Sequence, residues 1–333
     1  MRKPTRRDVG RGERVLPGVW RLRLPLPWPG VPHCNAWALA SGDGVVLVDT
    51  GMHEAGSMAH LERALDHVGL RVEHVRLVAL THAHVDHCGQ APPIAERAGC
   101  EVWLHPAHEH NTRSVADPEQ ALARRLEVAR HSGVPEAALR RWAQERRAHG
   151  TGQAGVLHSD RDLVPGVTVT TDLGEWEVIE TPGHAPSHVC LYQRERRLLI
   201  SGDHLLGRVS LYFDHGHTPD PVGEFLRSLD AVEGVVARLC LAGHGRPFTD
   251  VEAHVVANRE LVAERLDGVR ALLADGPLNA WELAARLYGE LFVDATATWL
   301  LSKTLSWLAH LERRGEVRKR SEDGATDAWA VAA

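Results

Sequence analysis

Apolar residues in the first third of the chain come in short alternating or continuous runs of strand length, separated by glycine and proline. "GVWRLRLPLP" (residues 18–27) and "NAWALASGDGVVLVDTG" (35–51) predict strands, the second a pair turning at Gly42 to Gly44 and ending in Asp49-Thr50-Gly51. The period then lengthens: "HEAGSMAHLERALDHVG" has helical spacing, "VRLVALT" is a short buried strand, "QAPPIAERAG" a helix entered through prolines, and "EVWLH" another strand. Residues 107–155 break this alternation with two helical patterns split by Gly133 and Pro135. Strands are expected again at "GVTVTTDLGEWEVIETPG", "HVCLYQRERRLLISGD" and "VVARLCLAGHG". From residue 252 to 314 the spacing is helical, with an apolar stripe of Leu301, Leu305, Leu308 and Leu311, a stop at Gly315, and a terminal hairpin in "GEVRKRSEDGATDAWAVA". Strands alternating with helices predict an α/β layered fold.

Composition narrows the function more than the fold. At 333 residues the chain is long enough for one large domain and a small one, and 44% hydrophobic with 25% charged residues is ordinary for a globular protein. A formal charge of -6 argues against a chain that coats nucleic acid or anionic membrane. Cys34, Cys88, Cys100, Cys190 and Cys240 form no CxxC pair, which suits a reducing cytoplasm. The basic start "MRKPTRRDVGRGER" is followed by proline and arginine rather than an apolar core, so no signal peptide is expected. No run approaches the roughly 18 apolar residues of a membrane span.

The chemistry concentrates in "LTHAHVDHCGQ" (80–90), where His82, His84, Asp86 and His87 fall within six positions after an apolar run. Imidazole and carboxylate groups hold borderline divalent metals, and a loop following a strand can aim several of them inward. His82 and His84, two apart on extended backbone, can point the same way; Asp86 and His87 sit near the start of the next helix. Packed together without an ion, these groups would cost several kcal/mol, on the order of the penalty for unpaired buried polar groups.

The motif Thr81-His82-x-His84-x-Asp86-His87 resembles that of the metallo-β-lactamase superfamily, and further elements follow in family order: Asp49 in "VLVDTG", His184 in "TPGHAPSH", Asp203 in "LISGDHLL" and His244 in "LAGHG". The resemblance covers residues 15–250 and implies a four-layer αβ/βα sandwich with the metal site at one edge between two sheets. It implies one metal on His82, His84 and His184, a second on Asp86, His87 and His244, and Asp203 bridging both, with Asp86 and Asp203 as the catalytic carboxylates. The ions would be two Zn2+, with iron or manganese as alternatives, and a metal-bound hydroxide would attack an ester or thioester. Asp49 and His188 are expected behind the ligands. Asp203 stands where class B1 β-lactamases place cysteine, so the site resembles that of glyoxalase II, related thioesterases and the metal-dependent ribonucleases.

The tail, residues 251–333, resembles the small winged-helix domain of the lactamase-β-like 2 branch. Winged helices often bind nucleic acid, and "RRGEVRKR" is basic, yet residues 255–333 hold ten Lys and Arg against twelve Asp and Glu. The expected substrate is therefore a small acyl compound, with cleavage of single-stranded RNA as the alternative; no membrane partner is expected, and a homodimer stays open. His33 and Tyr212 fall in loops that approach the metal edge and are candidates for substrate contact. His204, beside Asp203, is expected to orient or pack. The insertion arginines Arg124, Arg125, Arg140, Arg141, Arg146 and Arg147 are expected on a solvated face, with a positively charged lid as the minor reading. Trp299 and Trp307 are expected in a core or interface.

Overall fold

The structure, a computed structural model, describes residues 10–321 and 326–332; residues 1–9 of the basic start and residues 322–325 within the expected terminal hairpin lie outside the described residues. The strands are β1 (Arg11–Leu16), β2 (Val19–Trp28), β3 (Val31–Ser41), β4 (Gly44–Val48), β5 (Val75–Ala79), β6 (Glu101–Leu104), β7 (Arg161–Asp162), β8 (Thr168–Thr171), β9 (Gly174–Glu180), β10 (Val189–Gln193), β11 (Leu198–Gly202), β12 (Leu239–Ala242), β13 (Val317–Arg320) and β14 (Ala328–Val331). The helices are α1 (Ser57–Asp66), α2 (Val85–Cys88), α3 (Ala91–Ala98), α4 (Glu109–Ala116), α5 (Pro118–His131), α6 (Glu136–His149), α7 (Pro221–Glu233), α8 (Val251–Ala274), α9 (Ala280–Tyr288) and α10 (Ala297–Arg313).

Two sheets face each other. One has seven strands in sequential order, β1 to β7; the other has five, in the order β12-β11-β10-β9-β8. Each begins as an antiparallel meander and ends in parallel pairs, β4–β5–β6–β7 in the first and β11–β12 in the second. The inner strands are buried on both faces, and their period of two feeds two cores at once. Trp37, Leu39, Val46 and Val48 point between the sheets toward Val189, Leu191 and Ile200. Their neighbours Ala36, Ala38, Val45 and Leu47 pack outward with Leu61 and Leu65 of α1 and Ile94 of α3. On the far side, Cys190, Tyr192 and Leu199 meet Val222, Phe225 and Leu229 of α7. Helix, sheet, sheet, helix is the four-layer α/β sandwich expected.

The tail does not stand apart from this outer core. Val255, Val262 and Leu266 of α8 and Leu301, Trp307 and Leu308 of α10 belong to the same apolar cluster as α7, and the Trp307 ring meets Phe213 edge-on at 5.0 Å. Trp299, turned the other way, packs edge-on against Trp28 of β2 at 5.8 Å. The insertion closes the third side with three helices, α4 to α6, one more than the sequence pattern suggests. It leans on the tail through Trp142 against Trp281 at 5.9 Å and through the Trp281 N–H donating to the Ser132 carbonyl at 2.9 Å.

One residue couples α7 to the tail. The Asp220 carboxylate caps α7 by accepting from the Gly223 N–H at 2.8 Å, and the same Oδ1 lies 2.9 Å from His310 Nδ1 on α10. Asp220→Ala should lower stability by about 1–2 kcal/mol, the range for losing an N-cap, whereas Asp220→Asn keeps the cap and should lose less. Urea unfolding of the two variants checks the order.

Candidate metal centre

The cluster is assembled at the ends of strands, where the backbone leaves the ladder and side chains can converge. β4 stops at Val48, and Asp49 takes a left-handed conformation with φ 63°. That turns its carboxylate across to the loop after β5, where it accepts from the Thr81 N–H at 2.8 Å and the Thr81 hydroxyl at 2.9 Å. It also accepts from His87 Nδ1–H at 2.8 Å. A buried carboxylate with three donors thus fixes both ends of the segment that carries His82, His84 and Asp86.

Each imidazole is oriented through its outer nitrogen. His82 Nδ1–H donates to the Thr81 oxygen at 3.0 Å, His184 Nδ1–H to the Tyr212 carbonyl at 3.1 Å, and His244 Nδ1–H to the His33 carbonyl at 2.9 Å. Their Nε2 lone pairs, like that of His87, are thereby aimed at a shared centre. His84 presents Nδ1 instead, with its Nε2 3.6 Å from Asp214 Oδ2. His84 Nδ1 lies 3.1 Å from His82 Nε2 and 2.9 Å from His184 Nε2. Lone pairs cannot satisfy one another at such distances, but they can share a cation.

Three overlapping groups have donor atoms within 4.8 Å of one another: His82, His84 and His184; His82, His87 and Asp203; Asp86, His87 and His244. Asp203 joins them, its Oδ2 3.2 Å from His244 Nε2 and 3.5 Å from His184 Nε2. His87 Nε2 and Asp203 Oδ1 are buried with no hydrogen-bond partner, which is the state of atoms awaiting an ion. The close approach needs missing side chains nearby: a Cβ on Gly243 would sit 2.3 Å from Asp203 Oδ1, and one on Gly202 would sit 2.6 Å from His188 Nε2. The residues present fit divalent metal.

The remaining sequence candidates are spread around this centre. His188 Nε2 accepts from the Asp203 N–H at 3.0 Å while its Nδ1–H donates to the Thr181 hydroxyl oxygen at 2.8 Å, so it holds the Asp203 turn from behind. Tyr212 stacks edge-on near His84 and His184 and lines the large cavity beside the cluster. The His33 ring does not reach that cavity; its Nε2 lies 3.1 Å from Arg21 Nη2, and its contribution to the centre is the carbonyl that orients His244. His204 is buried against Phe225 with neither ring nitrogen bonded.

Several neighbours have no sequence signal. Asp214, which faces His84 Nε2 and His217 Nε2, lies in a loop with no periodicity. Asn35 and the buried Arg21 pin the loop of His244: the Asn35 amide donates to the Ala242 carbonyl at 2.8 Å, and Arg21 Nε donates to Asn35 Oδ1 at 2.8 Å.

Burial and charge divide the cluster into two halves. Burial pushes the pKa of His82 well down and that of His184 to about 3, with the surrounding imidazoles adding to the effect. Burial also opposes charge on His87 and His244, but Asp86, Asp203 and Asp49 outweigh it at His87, and Asp203 and Asp86 raise His244 to about 10. Desolvation would raise Asp86 and Asp203; the same two histidines override it and hold both carboxyls below the usual range. The metal-free cluster is therefore neutral at His82 and His184 and ionic at His87, His244, Asp86 and Asp203.

A family model, the metallo-beta-lactamase superfamily, matches residues 29–244. The chain belongs to that superfamily and is an enzyme of the metallo-hydrolase type. It is 24% identical over 320 residues to the probable metallo-hydrolase YqjP of Bacillus subtilis, covering 93% of this chain and 95% of the relative. It is 22% identical over 250 residues to an atrochrysone carboxyl ACP thioesterase of Aspergillus chevalieri, covering 74% of this chain and 63% of that protein. The crystal structure of a metallo-beta-lactamase family protein from Thermus thermophilus superposes with a TM-score of 0.83 at 29% identity, covering 96% of this chain and all of the other. Among the described residues, no helix is long and apolar enough to cross a membrane.

The ionic half makes metal binding proton-coupled. His87 and His244 hold protons at neutral pH in the metal-free protein and must lose them to become ligands. Loading metal at pH 7 should release about two protons per chain, one each from His87 and His244. Apparent affinity should rise with pH toward about 10, where His244 no longer needs displacing. Calorimetry in buffers of different ionisation enthalpy counts the protons; a pH-independent affinity with no release would show that these histidines carry no proton in the metal-free protein.

Proposed function

We propose that the chain is a dinuclear zinc-dependent hydrolase of esters or thioesters, with iron or manganese as alternative metals. One ion would be held by His82, His84 and His184, the other by Asp86, His87 and His244, with Asp203 shared. Bound there, the metals would supply electrophilic assistance to a carbonyl and lower the pKa of water toward neutrality. The protein's own part is positional. Asp49 and His188 fix the loops of His87 and Asp203 through the hydrogen bonds described, the kind of support whose loss costs roughly 10–100-fold in metal affinity. Tyr212, half-buried beside His84 and His184 with its hydroxyl 3.5 Å from Asp214 Oδ1, borders the substrate side.

The observation that carries the acyl reading is the cavity of about 1290 Å3 that meets the cluster at Val85, Pro186, Tyr212 and Asp214. Its walls come from α4, α5 and α6 on one side and from Trp299, Leu301 and Leu305 of α10 on the other, with Trp28 of β2 closing the rim. The indole and aliphatic surface on one side of this half-open cavity suits an acyl chain. In the same reading the tail is a winged-helix domain whose task is to wall this cavity, and the site is of the glyoxalase II type within the lactamase-β-like 2 branch. The basic run supports this over RNA cleavage: Arg314 pairs with Glu316 and Lys319 with Asp327, and none of Arg313 to Arg320 lines the cavity. The ACP thioesterase named among the relatives is consistent with a thioester. Five unpaired cysteines fit a cytoplasmic enzyme.

A panel of medium-chain thioesters, matched oxygen esters and a single-stranded RNA, assayed before and after chelation, tests the reading. Thioester or ester turnover that is lost on chelation and restored by zinc is expected, with the RNA intact. Metal-dependent RNA cleavage with no acyl turnover would overturn it.

A further inference from the structure

We propose that Arg125 and Arg146 form an anion-binding subsite in the large cavity, so that the substrate joins an apolar acyl chain to a compact oxyanion, a carboxylate on the acyl chain or a phosphate on the thiol carrier. This rests on the acyl-hydrolase reading and names the substrate class within it.

Both side chains line the cavity, one from α5 and one from the packed neighbour α6. Five other arginines of the insertion are engaged: Arg113 by Glu109, Arg124 by Gln120, Arg130 by Glu136, Arg141 by Asp294 and Arg147 by Glu119. Among the described residues, Arg125, Arg140 and Arg146 have neither an ion pair nor a side-chain hydrogen bond; Arg140 is exposed outside the cavity, whereas Arg125, also exposed, and Arg146 line it. Arg146 is half-buried, and burial together with the charge of Arg125 lowers its pKa with no carboxylate acting against them.

Two neighbouring guanidinium groups, one partly desolvated, repel each other and keep unused donors. An oxyanion relieves both, and the planar fork of arginine matches carboxylate and phosphate alike. The carboxylates of the same wall compete little. Asp214 faces His84 and His217, Glu109 pairs with Arg113, and Asp117 caps α5 by accepting from the Gln120 N–H; Glu54 and Glu145 are exposed. The whole chain carries a formal charge of -6, so long-range attraction does not favour anions and any preference must be local to the cavity, where Arg113 is neutralised by Glu109 and Arg124 is held by Gln120. Trp28, Trp299, Leu301 and Leu305 give the cavity one apolar side.

The test uses three thioesters of one acyl chain length: a neutral N-acetylcysteamine thioester, the same thioester with a terminal carboxylate on the acyl chain, and a coenzyme A thioester that carries phosphate. Their non-hydrolysable amide analogues are titrated into the purified protein by calorimetry, so that binding is read apart from turnover. For at least one anionic form, affinity and kcat/KM should exceed the neutral form by roughly tenfold or more, the scale of one charge-assisted pair. Which anionic form gains identifies the carboxylate or the phosphate as the source. In Arg125→Gln/Arg146→Gln that ratio should collapse toward one, while Arg146→Lys, which keeps the charge but loses the fork, should fall between. Equal affinity for neutral and anionic amides in the wild-type protein overturns the subsite even where thioesters are turned over. Charge-selective binding with turnover of neither the thioesters nor the matched oxygen esters keeps the subsite and overturns the hydrolase reading, and the wild-type ratio decides the matter if the double variant fails to fold.

Discussion

Three carboxylates, the buried Asp49 and Asp86 and the largely buried Asp203, surround one imidazole, that of His87, and the arrangement holds only where positive charge compensates them. Without metal, protons on His87 and His244 supply part of that charge. With metal, ions would take their place, and the lone pairs of His82, His84 and His184 would gain the partner they lack. The surrounding hydrogen bonds make sense in this light, because nearly all of them fix the outer nitrogen of a ring or the backbone behind a carboxylate. They set direction, and the ions would supply the binding energy.

The fold delivers these groups by ending its strands in one place. Asp49 follows β4, the segment from Thr81 to His87 follows β5, Asp203 follows β11 and His244 follows β12, so two parallel pairs in facing sheets release their chains toward a common edge. The tail and insertion add no group to the cluster. They raise walls over it, and the contacts of Trp299 with Trp28 and of Trp281 with Trp142 tie those walls to the sandwich and to each other. In the proposed reading, chemistry and selectivity would be carried by different parts of the chain, one by strand ends and the other by helices.

Much of this is legible in the sequence because it is local. The spacing of His82, His84, Asp86 and His87 is set by one loop, and strands such as β3 and β4 announce themselves by continuous apolar runs. The helices of the tail are equally plain from their leucine stripe. What escapes depends on contacts distant in sequence. Asp214 becomes a partner of His84 only through a loop without periodicity, and Trp299 reads like any core tryptophan until α10 turns it toward β2. β1 is short and partly exposed, and its pairing with β2 leaves little pattern. α7 does carry a signal, the Asp220-Pro221 start followed by Val222, Phe225, Leu229 and Val232, but the histidine-rich loop before it overshadows that pattern. The loop of His33 does approach the metal edge, yet its backbone carbonyl, not its ring, faces the centre.

Two ions sharing Asp203 are the centre of this picture. Elemental analysis of the purified protein, paired with anomalous diffraction at the metal edges, measures them directly. About two metal equivalents per chain are expected, as two peaks flanking the Asp203 carboxylate, with loss of at least one in Asp203→Ala. A protein that takes up no zinc, iron or manganese, or one whose metal content is untouched by Asp203→Ala, would contradict it.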